Sequence, residues 1–392
     1  MTIRRVFCAS TGFHVLVHQA IVLACGDQDV ENHLVIYHPL SRPDNPNHIR
    51  GFSFIDAMLL QGVWTSVIPA GDLAAPYDVA NVLSSASAFS VAAEAQRELD
   101  RRLSSVGKPT EVFITNPTCG AIDRHLWTWA RACDAQTHFV EDGISAYLPA
   151  TLKAEIDSPY TRDRAAQSLA RYRGLEPDLD LLALQPAVYP ALRFDQSHVL
   201  LPDKVPSSLH NGQVSELPRS MASVVLHRAL TQLPASSVGQ RSDRSRWTAV
   251  YISRPDHEDG LVDEEPEIDT AVEAIRAMVR MGHRVVVKPH PRDTKAKIQR
   301  IVDISKADVV EDGDHVPIEL LLARHRPQLA CGTWSGSVLY SALLAGISTS
   351  SVITHLVQRA NHQASTLLAR IEQQFLRIMD GVPNYRQWEQ LQ

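Results

Sequence analysis

Short apolar runs alternate with longer stretches of helical period along most of the chain. Residues 5–9, 33–38, 111–115 and 137–140 are rich in Val, Ile, Phe and Tyr and have strand length. Between them, 15–24, 80–105 and 122–132 place apolar residues at helical spacing, with Ala, Leu, Glu and Arg abundant. The same grammar restarts further on. Strands are predicted at 248–252, 284–288, 308–310, 328–330 and 347–352, and helices at 267–281, 295–302, 317–323, 336–345 and 361–379. Strands that alternate with helices argue for mostly parallel sheets covered on both faces, an α/β chain.

An amphipathic helix is predicted at 219–233. The stretch 234–246 behind it is polar and without period, the best linker in the chain. The expected division is 1–234 as an N-terminal Rossmann-like domain, 235–247 as linker, 248–360 as a C-terminal Rossmann-like domain, and 361–392 as a helical tail. Two such domains imply a cleft, with ligands at the carboxyl ends of the strands.

The chain has 392 residues, too many for one ordinary core, so composition agrees with two domains. A net charge of −6 gives no reason to expect nucleic acid as a partner. Cys8, Cys25, Cys119, Cys133 and Cys331 are scattered with no C-x-x-C spacing, which suits a reducing cytoplasm and makes neither a zinc site nor a disulfide framework. The N-terminus carries an apolar stretch soon broken by Ser10, Thr11, Gly12 and His14, which reads as a buried strand and turn. No apolar run reaches the roughly 18 residues that cross a bilayer.

The chemistry gathers after predicted strands. Val285-Val286-Val287 runs into Lys288-Pro289-His290-Pro291-Arg292, where two prolines hold Lys288 and His290 in a stiff extended loop before a helix cap at Asp293 or Thr294. Strand, rigid basic loop and helix start make an anion site; a Pro-rich connection that merely carries a histidine is the plain alternative. Glu141-Asp142-Gly143 follows strand 137–140. Adjacent carboxylates on extended chain point in opposite directions, so one faces the cleft and can serve as a general base, with Gly143 allowing a sharp exit. The triplet recurs at Glu311-Asp312-Gly313, and that copy is expected to be an ordinary turn. Pro317-Ile318-Glu319 opens a helix, Pro317 in the first turn and Glu319 where the dipole favours a carboxylate. Cys331-Gly332-Thr333-Trp334-Ser335-Gly336-Ser337 joins a strand to a helix with small and hydroxyl residues that suit a phosphate, although Ser335 or Ser337 equally suits a helix cap. Ser10-Thr11-Gly12-Phe13-His14 either touches a ligand or turns the chain. Asp178-Leu179-Asp180 spells a metal-associated D-x-D but reads as loop.

The ordered set of acidic-acidic-Gly, Lys-x-His-Pro, Pro-x-Glu and a serine cluster resembles the bacterial sialyltransferases of the two-Rossmann GT-B type, including lipooligosaccharide sialyltransferases and polysialyltransferases. The resemblance implies an inverting transfer of a sialic-acid-type sugar from a CMP-activated nonulosonic acid donor to a hydroxyl of a glycan acceptor, in lipopolysaccharide or capsule biosynthesis. Asp142 is then similar to the general base, with Glu141 as its supporting neighbour; Glu141, Gly143, Thr11 and Gly12 would lie on the acceptor or donor-sugar side. His290 matches the histidine that meets the CMP phosphate as hydrogen-bond donor or general acid, with Lys288 and Pro291 in its loop. Glu319 matches the ribose-holding residue. Ser335 and Ser337 match the phosphate-binding serines, with Thr333 beside them, except that Gly336 separates what those families carry as adjacent serines. A nucleoside monophosphate leaving group is stabilised by such donors without a metal, so no cofactor is expected.

Three alternatives stand beside this. A teichoic-type polyol-phosphate transferase shares Lys-x-His-Pro but should close its serine loop with Asp, whereas Val338-Leu339-Tyr340-Ser341 follows here. A CMP-Kdo or CMP-pseudaminic or legionaminic acid transferase differs only in sugar-reading residues outside the motifs. A degenerate glycan-binding protein would have no need to keep Asp142 with His290. The expected location is cytoplasmic, with peripheral attachment to the inner membrane as a variant. The stripe Leu367, Leu368, Ile371, Phe375, Leu376 and Met379 in the last helix reads as core packing before a membrane or partner face.

Overall fold

In a computed structural model, residues 2–26, 29–37, 58–74, 86–115, 121–156, 192–206, 212–232, 247–310 and 317–391 are described. The linker expected at 235–247 lies outside them except for Trp247, as do Asp178 and Asp180 and the second acidic triplet, Glu311 to Gly313. The chain divides into two compact units, the first running to Met221 and the second from Ala222, with Gly143–Ser145 grouping with the second.

The first unit is built on strands β1 (Ile3–Ala9), β2 (Val30–Ile36), β3 (Ser66–Pro69), β4 (Glu111–Ile114), β5 (Gln136–Val140), β6 (Gln196–Val199) and β7 (Gln213–Glu216). Its helices include α1 (Gly12–Cys25), α2 (Ala86–Ser104), α3 (Ala121–Ala132) and α4 (Ala150–Ile156), and α5 (Arg219–Gln232) begins at its end. The sheet order is β3-β2-β1-β4-β5-β6-β7, and every pairing is parallel. The last five residues of β1 are buried without alternation, the pattern of a strand covered on both faces. One row of rings crosses the sheet. Phe7 stacks on Phe113 at 4.3 Å, Phe113 on His138 at 4.2 Å and His138 on His198 at 5.3 Å. The row turns polar at its end, where His138 Nδ1 lies 3.1 Å from His198 Nε2 and the Ser215 hydroxyl 2.9 Å from His198 Nδ1.

The second unit carries β8 (Ala249–Ile252), β9 (Val285–Lys288), β10 (Asp308–Val309), β11 (Leu329–Gly332) and β12 (Ser348–Ser351), again all parallel, in the order β10-β9-β8-β11-β12. Its helices are α6 (Glu264–Arg280), α7 (Lys295–Ser305), α8 (Ile318–His325), α9 (Gly336–Leu343), α10 (Ile353–Arg359) and α11 (His362–Met379). Ile268, Val272, Ile275 and Met278 of α6 form the core with Val285, Val287 and Ile301, each large side chain contributing about 1.5–3 kcal/mol by burial. The chain's end belongs to this core. Leu368, Ile371, Phe375, Ile378 and Met379 of α11 are buried, and Trp388 packs in the same cluster as β8 and α6. Of the stripe on the last helix, Leu368, Ile371, Phe375 and Met379 are core, while Leu367 and Leu376 are half-buried.

Both sheets wind the same way. In each, the first strand (β1 or β8) is central, the next two lie to one side and the fourth to the other. That is the Rossmann-like order, with a topological switch between β1 and β4 in one unit and between β8 and β11 in the other. The expected α/β architecture of two Rossmann-like domains is thus present. Among the described residues no helix is long and apolar enough to cross a membrane.

Candidate active site

In the first unit the carboxyl ends of β1, β4 and β5 bring Ser10, His14, Thr115 and Asp142 together. Thr11 takes the N-cap of α1, its hydroxyl accepting from the His14 N–H at 3.2 Å, and Gly12 is the buried first residue of that helix. His14 is 1% exposed. Its Nε2 lies 2.9 Å from Asp142 Oδ1, and its Nδ1 accepts from the Ser10 backbone N–H at 3.2 Å. Asp142 keeps part of its carboxylate in solvent. Gly143 follows with φ +120°, a conformation that a side chain disfavours, and allows the abrupt exit.

Glu141 points the other way. It is fully buried, accepting from the Tyr147 hydroxyl and, at 2.7 Å, from the Leu200 N–H. This carboxylate ties the exit of β5 to that of β6. The Tyr147 hydroxyl is held protonated well above its ordinary range, by burial first and by the Glu141 charge second.

In the second unit the loops after β8, β9 and β11 converge. His290 donates its backbone N–H to Asp293 Oδ2 at 2.7 Å, and its Nδ1 accepts from the Arg292 N–H at 3.1 Å. A backbone N–H only donates, so the imidazole hydrogen lies on Nε2. Burial first, then Arg292, Lys288 and Arg254, push the His290 pKa well below the ordinary value. The group is a neutral donor among cations.

Lys288 is 5% exposed and turns its ammonium back to the Pro289 carbonyl at 2.8 Å. Thr333 is 2% exposed and gives its hydroxyl to Asp256 Oδ2 at 3.2 Å. Pro291 is half-buried in the turn behind His290. Ser335 caps α9, accepting from the Ser337 N–H at 3.1 Å, while the Ser337 side-chain hydroxyl has no hydrogen-bond partner among the described residues. Gly332 is required by packing, because a Cβ there would sit 2.9 Å from the Ile252 carbonyl oxygen. Pro317 occupies the N-cap of α8 rather than its first turn, and Glu319 is buried within that turn.

Three residues carry more than the sequence suggested. Arg254, just past β8, lies over the Trp334 ring, pairs with Asp256 and remains partly exposed. Its signal was a strand running into Ser253-Arg254-Pro255, the same grammar as the loop of His290. His14 was legible only as part of a turn. Lys297 in α7 is fully buried, with Nζ 2.6 Å from Glu258, 2.6 Å from Glu267 and 2.8 Å from Asp293, the last an ionic contact without hydrogen-bond alignment. These three carboxylates are close enough to hold a metal ion, and the Lys297 ammonium touches all of them. Burial opposes the lysine's charge, but the carboxylates overcome it and raise its pKa. Burial pushes Glu267 up, against the pull of the Lys297 charge. The cluster holds the loop: Asp293 accepts from the His290 N–H, Glu258 from the Thr294 N–H and Glu267 from the His257 N–H.

Solved structures of similar fold include a putative UDP-N-acetylglucosamine 2-epimerase from Listeria monocytogenes (11% identity, 98% of this chain and 92% of that one, TM-score 0.48). A UDP-glucose: anthocyanidin 3-O-glucosyltransferase in complex with UDP matches at 10% identity over 96% and 94% of the two chains, TM-score 0.45. The spinosyn rhamnosyltransferase SpnG complexed with thymidine diphosphate matches at 14% over 97% and 92%, TM-score 0.44. No curated protein matches significantly. The family model of alpha-2,8-polysialyltransferase (POLYST) matches residues 6–354, nearly the whole chain. The chain belongs to the alpha-2,8-polysialyltransferase family and is a glycosyltransferase.

Proposed function

We propose that the chain moves a sialic-acid-type sugar from a CMP-activated donor to a hydroxyl of a surface-glycan acceptor, with inversion and without a metal. Asp142 is the base. Its free oxygen takes the acceptor proton as the acceptor oxygen bonds to the anomeric carbon. The bond from that carbon to the phosphate oxygen breaks, its electron pair stays on the phosphate, and CMP leaves. His290 donates its Nε2–H to that phosphate.

The observation that carries this reading is the state of His290. A neutral imidazole with its donor nitrogen fixed, in the field of Arg292, Lys288 and Arg254, suits an oxygen that gains charge as the bond breaks. The same surroundings disfavour an imidazolium in the unliganded protein, so His290 is read as a hydrogen-bond donor rather than as a proton donor. Glu319 and Ser337 complete the nucleotide side, Glu319 toward the ribose.

Thermal stability with CMP, CDP, UDP and GDP, each with EDTA and with Mg²⁺, tests the donor class. A ligand at 100 times its Kd stabilises by about 2.7 kcal/mol, a readable melting shift. A shift with CMP that survives EDTA is expected. A shift with UDP or GDP alone, or one that needs Mg²⁺, would overturn the proposal.

A further inference from the structure

The bond between His14 and Asp142 carries a role that the base alone does not explain. His14 is anchored on rigid elements: its backbone sits in the first capped turn of α1, and its ring is packed against the ends of β1 and β4. Nδ1 is surrounded by the Ser10 N–H, the Ser10 hydroxyl and the Thr115 hydroxyl, each at 3.2 Å. The Thr115 hydroxyl has the Cys8 carbonyl as an acceptor, also at 3.2 Å. A ring nitrogen facing a backbone N–H holds a lone pair, so the ring hydrogen lies on Nε2 and points at Asp142 Oδ1.

We infer that His14 is a positioning residue for Asp142: a neutral imidazole that grips one carboxylate oxygen and leaves the other to the acceptor hydroxyl. The inference rests on the proposed role of Asp142 as base. The order of the pair follows from exposure. His14 is buried with both nitrogens committed, so no atom of it remains for a substrate, whereas Asp142 reaches solvent. Asp142 needs such a grip, because it stands at the end of its strand beside a glycine of positive φ, and Oδ2 makes no hydrogen bond among the described residues. The imidazole keeps its hydrogen throughout; the acceptor proton ends on Asp142 Oδ2.

Two measurements on the full chain test this. Long-range ¹H–¹⁵N spectra of histidine-labelled protein read the tautomer without substrate. His14 is expected protonated on Nε2 and bare on Nδ1, with the Nε2–H resonance moving upfield in Asp142→Ala. Kinetics with CMP-N-acetylneuraminic acid then compare His14→Gln with His14→Phe. Phe removes the donor and is expected to lower kcat about 10- to 100-fold with the donor KM unchanged. Gln, whose side-chain N–H₂ reaches the same place, is expected to recover most of that loss. A hydrogen on Nδ1, an Nε2–H indifferent to Asp142→Ala, or Gln and Phe variants equal in kcat would overturn the inference. If the unaltered protein turns over no CMP-sugar, the transferase reading fails while the spectra still judge the link between His14 and Asp142.

Discussion

Arg254 lays its guanidinium over the Trp334 indole, 3.4 Å from the ring centroid. Asp256, fully buried, pairs with Arg254 and accepts the Trp334 Nε1–H at 3.1 Å and the Thr333 hydroxyl at 3.2 Å. One carboxylate thus clamps the loop after β8 to the loop after β11, across the strand pair where the winding reverses. The clamp presents a planar cation, pre-oriented for an anion, at the carboxyl ends of the strands. Arg254→Lys keeps the charge and loses the stack and the fork. Its expected effect is CMP affinity lowered about tenfold or more by calorimetry, with the melting temperature little changed. Unchanged affinity would put the phosphate away from Arg254.

Lys297 is the hinge pin of the His290 loop. Lys297→Met leaves three buried carboxylates around an apolar side chain, and breaking a buried ion cluster from one side costs about 3–5 kcal/mol. Urea unfolding is expected to show that loss or an unfolded protein. A loss under about 1 kcal/mol would mean that the carboxylates are protonated or paired without it.

Acid should unfold this protein through its histidines before its surface carboxylates. Burial lowers His138 and His198 to about 4 and His18 to about 3. In the unfolded chain each titrates near 6.5, so below that pH the unfolded state takes up protons that the folded state refuses. Stability from these groups is complete above about pH 6.5 and is lost as pH falls toward about 4, by about 1.4 kcal/mol per pH unit for each histidine. Glu267, raised by burial, works in the opposite sense. Melting temperature is expected to fall steadily from pH 7 to pH 5. A flat profile over that range would contradict the buried neutral pair.

Much of this was legible in the chain. The strands that build both sheet centres are the runs dense in Val, Ile and Phe, because a parallel strand covered on both faces must be apolar throughout. The strands missed, β3, β6 and β7, include Gln-Ser-His-Val and Gln-Val-Ser-Glu; β3 and β7 are edges and β6 neighbours one, where polar residues are tolerated and the apolar signal fades. Within the site, extended geometry after β5 implies that one of Glu141 and Asp142 turns inward and the other outward, and the family resemblance points to Asp142 as the outward one. Pairings across long sequence separations left no local trace. Thr333 meets Asp256 from 77 residues away, and Lys297 meets Glu258 from 39. The bond from the Lys288 ammonium to the adjacent Pro289 carbonyl likewise has no signature in a Val-Val-Val-Lys-Pro run.

The most direct test of the account is sialyl transfer by the unaltered protein and by Asp142→Asn, with CMP-N-acetylneuraminic acid as donor, an oligosialic acid as acceptor and EDTA present. The unaltered protein is expected to form product and release CMP at equal rates. The variant should bind CMP as before and turn over about 10²- to 10⁴-fold more slowly, the range general base catalysis contributes. An Asp142→Asn protein as fast as the unaltered one would contradict the account.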